Sequence, residues 1–166
     1  MNYKISCLVF IRNPEGKILL LNRKREPNKG FWSPPGGKLN MLAGESPVEC
    51  ARRETMEETN LLLRDEDIQF FAYVSEKEYF GTGNWLMFLF DSRVTLDKLP
   101  NDISEGTFAF FGRDEIDNLK IPPTDHQLVW PLYDKKNDGF WGVRADFSKP
   151  EHKIKVEASP NKGDNA

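Results

Sequence analysis

Cysteine is nearly absent: Cys7 and Cys50 are the only two in 166 residues. They make no metal-ligand pattern, and they suit a reduced intracellular protein without a structural disulfide. Long hydrophobic runs are missing as well. The longest near the start, Ile5 to Ile11, is too short to span a bilayer, and no small-residue cleavage site follows it. Excess positive charge is also lacking. Lys and Arg number 23 against 26 Asp and Glu, a net charge of −3, which argues against a general binder of nucleic-acid polymers or membranes. There is no internal repeat and no linker that divides the chain. What remains is a globular composition, 39% hydrophobic and 30% charged, long enough for one well-packed core. The expectation is a soluble cytoplasmic protein with one domain over residues 1–157 and a disordered polar tail over 158–166.

Local signals predict the elements. Tyr3 to Arg12 and Lys17 to Arg23 read as two strands of a hairpin turning at Asn13-Pro14-Glu15-Gly16. Phe31-Trp32-Ser33-Pro34-Pro35-Gly36-Gly37 reads as a rigid, tight-turning segment. Ser46-Pro47-Val48-Glu49 is a capping box with proline at the first helical position. The helix it opens turns Val48, Ala51, Thr55 and Thr59 inward and ends at Asn60 in a left-handed conformation. Ile68 to Phe80 and Trp85 to Phe90 read as strands around Gly81-Thr82-Gly83-Asn84, the second apolar enough for burial on both faces. Its residues Trp85, Met87 and Phe88 read mainly as core, with one alternating face available to a pocket. A short strand over Gly106 to Phe111 and a short helix over Asp114 to Leu119 follow. Thr124 to Tyr133 reads as a helix opened by the box Thr124-Asp125-His126-Gln127. Gly139 to Phe147 and Lys153 to Glu157 close the chain as a hairpin. Its apolar side chains Phe140, Trp141, Val143 and Phe147 suit either a homodimer contact or closure over the chain's own core.

The chemistry concentrates on the first helix. Glu54, Glu57 and Glu58 point within a ~100° arc of its surface. A solvated acidic face is the plain reading of such a cluster. A hard, oxygen-seeking cation such as Mg²⁺ would remove the repulsion among the three.

The run Gly37, Glu45, Arg53-Glu54, Glu57-Glu58, Leu61 resembles the signature of the Nudix hydrolase family, and of its MutT-like branch in particular. Glu45 stands eight residues before Arg53, as in that signature. The chain departs from it in three places. Seven residues separate Gly37 from Glu45 rather than five, Thr55 replaces an aliphatic residue, and Asn60 replaces glycine. The resemblance covers about residues 3–135 and implies an α/β fold, an α/β/α sandwich with a mixed β-sheet, to which the C-terminal hairpin is added.

By the same resemblance, Glu54, Glu57 and Glu58 hold Mg²⁺, for which Mn²⁺ can substitute, beside the backbone of Gly37 and Lys38. Arg53 orients the glutamates, and Glu45 supports the helix entrance. Glu105 stands where family members carry an extra glutamate as base or further ligand; it is otherwise an ordinary loop carboxylate. Arg23 and Arg25 could grip substrate phosphate or simply end a strand in solvent. Phe31 and Trp32 could stack on a base or pack, and Asp125 and His126 could touch a base or sugar or merely begin a helix. Tyr79, eighteen residues after Leu61, stands near a tyrosine of some dinucleoside polyphosphate hydrolases, or is an ordinary strand residue.

The implied activity is hydrolysis of a phosphoanhydride in a small-molecule nucleotide. The favoured substrates are nucleoside triphosphates, ordinary or oxidised, giving monophosphate and pyrophosphate. ADP-ribose, nucleotide sugars and dinucleoside polyphosphates are the enzymatic alternatives. A nucleotide-binding module without catalysis is the alternative of another class.

Overall fold

A computed structural model describes residues 3–160 of the chain. Nine strands form two sheets, β1 (Tyr3–Phe10), β2 (Ile18–Arg23), β3 (Trp32–Ser33), β4 (Gly36–Lys38), β5 (Ile68–Lys77), β6 (Asn84–Ser92), β7 (Gly106–Phe111), β8 (Trp141–Asp146) and β9 (Lys153–Ala158). The helices are α1 (Pro47–Thr59) and three short ones, α2 (Arg113–Ile116), α3 (Asp125–Leu128) and α4 (Trp130–Asp134). The larger sheet has six strands in the order β4-β1-β6-β5-β8-β9, and the smaller has three in the order β3-β2-β7. Pairing in the larger sheet is mixed: β1 with β6 and β5 with β8 are parallel, the rest antiparallel. The expected α/β fold with a mixed sheet and a C-terminal hairpin is what the chain adopts.

Alternation along the strands divides the interior in two. Cys7 and Val9 of β1, Phe90 of β6 and Leu19 and Leu21 of β2 pack with Cys50 and Ala51 of α1. Phe10, Ile18, Leu20, Ala72, Val74 and Leu89 point the other way, against Ile116, Leu128 and Trp130. Phe10 meets Trp130 edge-on at 5.3 Å and Phe71 at 5.5 Å. Each such ring contributes about 1.5–3 kcal/mol by leaving water.

This double burial corrects the first hairpin. The turn forms, with Gly16 N donating to Asn13 O and Asn13 N to Lys17 O. Beyond the bridge between Arg12 and Ile18, however, β1 and β2 separate into different sheets. Each strand is apolar on both faces, so each needs cover on both sides, and a two-stranded hairpin cannot supply it.

Trp85 to Phe90 is also not buried throughout. Asn84 to Phe88 are half-exposed and only Leu89 to Ser92 are fully covered, because Trp85 and Met87 face a cavity. The predicted helix over 124–133 breaks into α3 and α4 around Val129. Pro131 stands at the start of α4, where its missing N–H costs nothing, whereas inside one long helix it would remove a bond. The expected box there is absent: Thr124 has helical dihedrals and makes no side-chain cap.

The C-terminal hairpin extends the larger sheet. Val143 is buried in the chain's own core, with Trp141 and Phe147 packed against it, while Phe140 remains 38% exposed against Phe70. β9 runs past the expected start of the tail, since Ala158 pairs with Gly142. The rest of that tail, residues 161–166, lies outside the described residues. Cys7 and Cys50 are free thiols, their sulfurs 3.1 Å apart. Among the described residues, no helix is long and apolar enough to cross a membrane.

Candidate active site

A cleft of about 660 Å³ opens between α1, the larger sheet and the segment entering α3. Backbone turns set its α1 end. Val9 N donates to Pro35 O at 2.8 Å, and β4 then pairs with β1, Gly36 opposite Leu8 and Gly37 opposite Cys7. A Cβ at position 36 would collide with the Cys7 carbonyl, and one at 37 would occupy the place of the Glu54 carboxylate. Glycine is required at 36 for close backbone approach, and at 37 it leaves room for the Glu54 carboxylate.

The helix entrance is fixed by its cap. Glu49 N donates to Ser46 Oγ at 3.1 Å and Ser46 N to Glu49 Oε2 at 2.9 Å, with Pro47 at the first position. Asn60 ends the helix at φ 60°, ψ 19°. Cys50, Ala51, Thr55 and Thr59 are buried and Val48 is half-buried, so the opposite stripe faces the cleft.

Arg53 organises that stripe. Its Nε and Nη2 donate to the two oxygens of Glu45 at 2.6 and 2.8 Å, a bidentate pair. Nη1 reaches Glu54 at 2.9 Å and Glu57 at 3.3 Å, and Nη2 reaches Lys38 O at 3.2 Å. Glu45 also accepts from Asn40 N at 3.0 Å. The guanidinium beside it, with that amide, holds the Glu45 carboxyl down at about 2.

The other glutamates are pushed the opposite way. Burial raises Glu54 despite the pull of Arg53. Burial, then the charges of Glu54 and Glu105, pushes Glu58 up to about 8, although the Gly36 N–H favours its charged form. Glu58 Oε2 is buried with no hydrogen-bond partner. Glu105, on the loop before β7, lines the same cleft.

The expected residues therefore gather only in part. Glu54, Glu57, Glu58 and Glu105 all line the cleft, although Glu57 is 59% exposed at its side chain and in contact with Arg53. Gly37 lines the cleft, yet its carbonyl accepts from the thiols of Cys7 and Cys50 at 3.8 and 3.6 Å. Among the described residues, no three His, Cys, Asp or Glu side chains are closed into a metal-holding group. The donor set still fits a hard cation. It is all oxygen, densely anionic, and includes an orphaned buried oxygen of Glu58, which feels the Glu54 charge.

Arg23 and Lys38 line the cleft. Arg23 Nε donates to Pro27 O at 2.8 Å, and Lys38 Nζ lies 5.7 Å from the Trp85 ring centre. Arg25 is exposed and away from the cleft. Trp32 is packed edge-on against Phe111 at 4.9 Å, and Phe31 carries Lys120 over its ring, so neither aromatic residue lines the cleft. His126 is exposed and faces Asp117 at 3.9 Å. Tyr79, hydrogen-bonded to Thr124, and Asp125 line the end away from Glu54.

Glu76 joins them there and was missed by sequence reasoning. Its signal was available: Ala72, Val74 and Glu76 alternate along β5 on one face, so a carboxylate falls on an inward position. Trp85 and Met87, the alternating face of β6, do line the cleft.

Comparison with known proteins gives the family. The sequence model of the NUDIX domain matches residues 2–133. A GDP-mannose pyrophosphatase of Yersinia enterocolitica is 38% identical over 74 residues, 42% of this chain and 39% of that protein. An ADP-ribose pyrophosphatase of Methanocaldococcus jannaschii is 27% identical over 125 residues, 75% of this chain and 70% of that protein. The match thus spans about two fifths of the first of these relatives. The crystal structure of a MutT protein from Bacillus halodurans superposes with a TM-score of 0.71 at 22% identity, covering 95% of this chain and 99% of that one, a likeness of fold. With the domain match extending over most of its length, the chain belongs to the Nudix family.

Proposed function

We propose that this protein is a divalent-cation-dependent pyrophosphohydrolase acting on a nucleoside diphosphate linked to a further group. The observation that carries the reading is the Glu54–Glu58 pair at the Gly36–Gly37 turn, with one Glu58 oxygen buried and unpartnered. Glu54, Glu58 and Glu57 would hold Mg²⁺, or Mn²⁺ in its place, with Glu105 as an added ligand. Glu57 would exchange its contact with Arg53 for the cation. When bound, the cation reverses the sign of an otherwise repulsive site and acidifies a water.

The chain's own groups do the remainder. Arg53 holds the glutamates in place through Glu45. Arg23 and Lys38 offer positive charge to the phosphates along the cleft wall. As the alternative to ligating the cation, Glu105, whose charge helps raise the Glu58 carboxyl, would take a proton from the attacking water. Nucleoside triphosphates, ordinary or oxidised, are the favoured substrates, yielding monophosphate and pyrophosphate. The pyrophosphatases of GDP-mannose and ADP-ribose among its relatives support a second reading, in which the leaving group is a sugar phosphate.

The test is a nucleotide panel with Mg²⁺, scored for released phosphate and pyrophosphate. Wild-type protein cleaves at least one member, and Glu58→Gln lowers kcat by about 10²-fold or more, as expected for loss of a group acting on developing charge. Unaltered turnover in Glu58→Gln, with the fold intact by circular dichroism, would refute the site.

A further inference from the structure

The chain's two cysteines meet where the Gly36–Gly37 turn meets the glutamate helix. Cys7 lies in β1 and Cys50 in α1, 43 residues apart in sequence, and their sulfurs are 3.1 Å apart. Both side chains are wholly buried. A single buried cysteine packs as a small apolar side chain. Two free thiols in direct contact are also the reduced half of a disulfide couple. Nothing in the pyrophosphohydrolase chemistry uses them.

Their surroundings tie them to the site. Two S–H hydrogens serve three contacts: Cys7 with Cys50, and the thiols of Cys7 and Cys50 with the Gly37 carbonyl at 3.8 and 3.6 Å. Arg53 Nη2 stands 3.9 Å from the Cys50 sulfur. Gly37 is paired with Cys7 across β4 and β1. Glu54 follows Cys50 by about one turn of α1 and fills the space that a Cβ at position 37 would take. Little slack is left between β1, the turn and α1.

The same placement gives the pair a route and an order of reaction. Cys7 and Gly37 both belong to the cleft wall. An oxidant the size of water, hydrogen peroxide, reaches the pair from that side, and a bulky disulfide does not. The Cys7 sulfur attacks one peroxide oxygen and the O–O bond breaks. The thiol proton leaves with the departing hydroxide as water, and Cys7 becomes a sulfenic acid. The Cys50 sulfur, already in contact, attacks the Cys7 sulfur. The S–O bond breaks, and the hydroxyl leaves with the Cys50 proton as a second water. Two thiols and one peroxide give one disulfide and two waters.

The bridge reaches the glutamates through the backbone. An S–S bond is about 2.05 Å long, so about 1 Å of closure has to be taken up between β1 and α1. Gly37, Arg53 and Glu54 are packed against the two sulfurs or against each other along that line. A misplacement of about 1 Å in a catalytic constellation costs ~10²-fold in rate.

We propose that Cys7 and Cys50 are a peroxide-sensitive thiol pair whose reversible disulfide switches the glutamate site off. The effect on turnover rests on the pyrophosphohydrolase reading above; the bridge itself does not. The test treats the full chain with millimolar hydrogen peroxide and reads it in three ways. Intact mass and a non-reducing peptide map should show the loss of two hydrogens and a Cys7–Cys50 link within one chain. Calorimetry should show Mg²⁺ bound at least tenfold more weakly by the bridged protein. On whichever nucleotide of the panel is cleaved, kcat/KM should fall at least tenfold, and dithiothreitol should restore both quantities. Cys7→Ser and Cys50→Ser cannot form the bridge. Each, measured against its own untreated rate and affinity, should be insensitive to peroxide, which separates the bridge from oxidation of methionine. A bridge with weakened Mg²⁺ binding in a protein that cleaves no nucleotide would support the thiol pair while defeating the pyrophosphohydrolase. Thiols that stay free, a bridge between two chains, or Cys7 carried on to its sulfinic acid would each overturn the switch. So would a bridge that leaves Mg²⁺ affinity and kcat/KM unchanged, or serine variants that respond to peroxide as the wild-type protein does.

Discussion

Arg53 makes five hydrogen bonds to oxygen, and three of its partners are carboxylates. Lysine could neutralise one of them but cannot hold Glu45 through two parallel bonds while reaching Glu54 and Glu57. Removing a partner that orients a metal ligand typically costs about 10–100-fold, so Arg53→Lys and Glu45→Gln should each lower kcat/KM by that much. Because both break one ion pair, the double variant should cost little more than either single one. Full additivity in this cycle would mean that Glu45 and Arg53 act independently. The contacts of Arg53 with Glu45 and Glu54 are those that the resemblance to the family signature implied. Glu76 was not legible in the sequence, since its meaning depends on Asp125, 49 residues further on, and on no donor reaching either group. The two cysteines hid a second relation of this kind: nothing local brings Cys7 and Cys50 together beneath the Gly37 carbonyl.

Among elements, local chemistry predicted α1 nearly to the residue, because a capping box, an N1 proline and a left-handed asparagine are all written within it. The same reasoning failed at Thr124, where four residues have the right spelling but the chain turns again at Pro131 and buries Asp125. It failed again for β1 and β2, whose turn is local but whose partners are chosen by two-sided burial. These outcomes have a measurable contrast. Ser46→Ala should destabilise the protein by about 1 kcal/mol in urea titration, since it removes a real cap. Gln127→Ala, at an exposed position of a box that does not form, should stay within about 0.5 kcal/mol. Equal losses at both sites would show that the cap at α1 contributes nothing specific.

At the scale of the molecule, one cleft collects carboxyl groups held away from their ordinary ionisation. Glu58 is pushed up to about 8, Glu76 to about 7 and Asp125 to about 8, each chiefly by burial. In the unfolded chain all three ionise near the ordinary value of about 4. Below that value both states are protonated and burial carries no electrostatic penalty. As pH rises the unfolded chain loses these protons first, so the folded state binds more of them and stability must fall until pH passes about 8. Glu45 works in the opposite sense and in a different window. Its carboxyl is held down at about 2, so its contribution is intact above about 4.5 and disappears as pH falls toward 2. The metal-free protein should therefore be most stable near the ordinary carboxyl value and lose stability on both sides of it. Thermal melts from pH 3 to 9 in a chelator will read this profile. The alkaline arm should then divide between the two ends of the cleft. Millimolar Mg²⁺ should recover the share due to Glu58, because a cation that binds only the folded state stabilises it by mass action. Asp125→Asn and Glu76→Gln should flatten the remainder, which Mg²⁺ leaves in place. A melt in which Mg²⁺ alone removed the whole alkaline decline would place all the strained charge at α1 and none at the far end. A profile flat from pH 5 to 9 without metal would mean that neither end holds its carboxyl groups protonated.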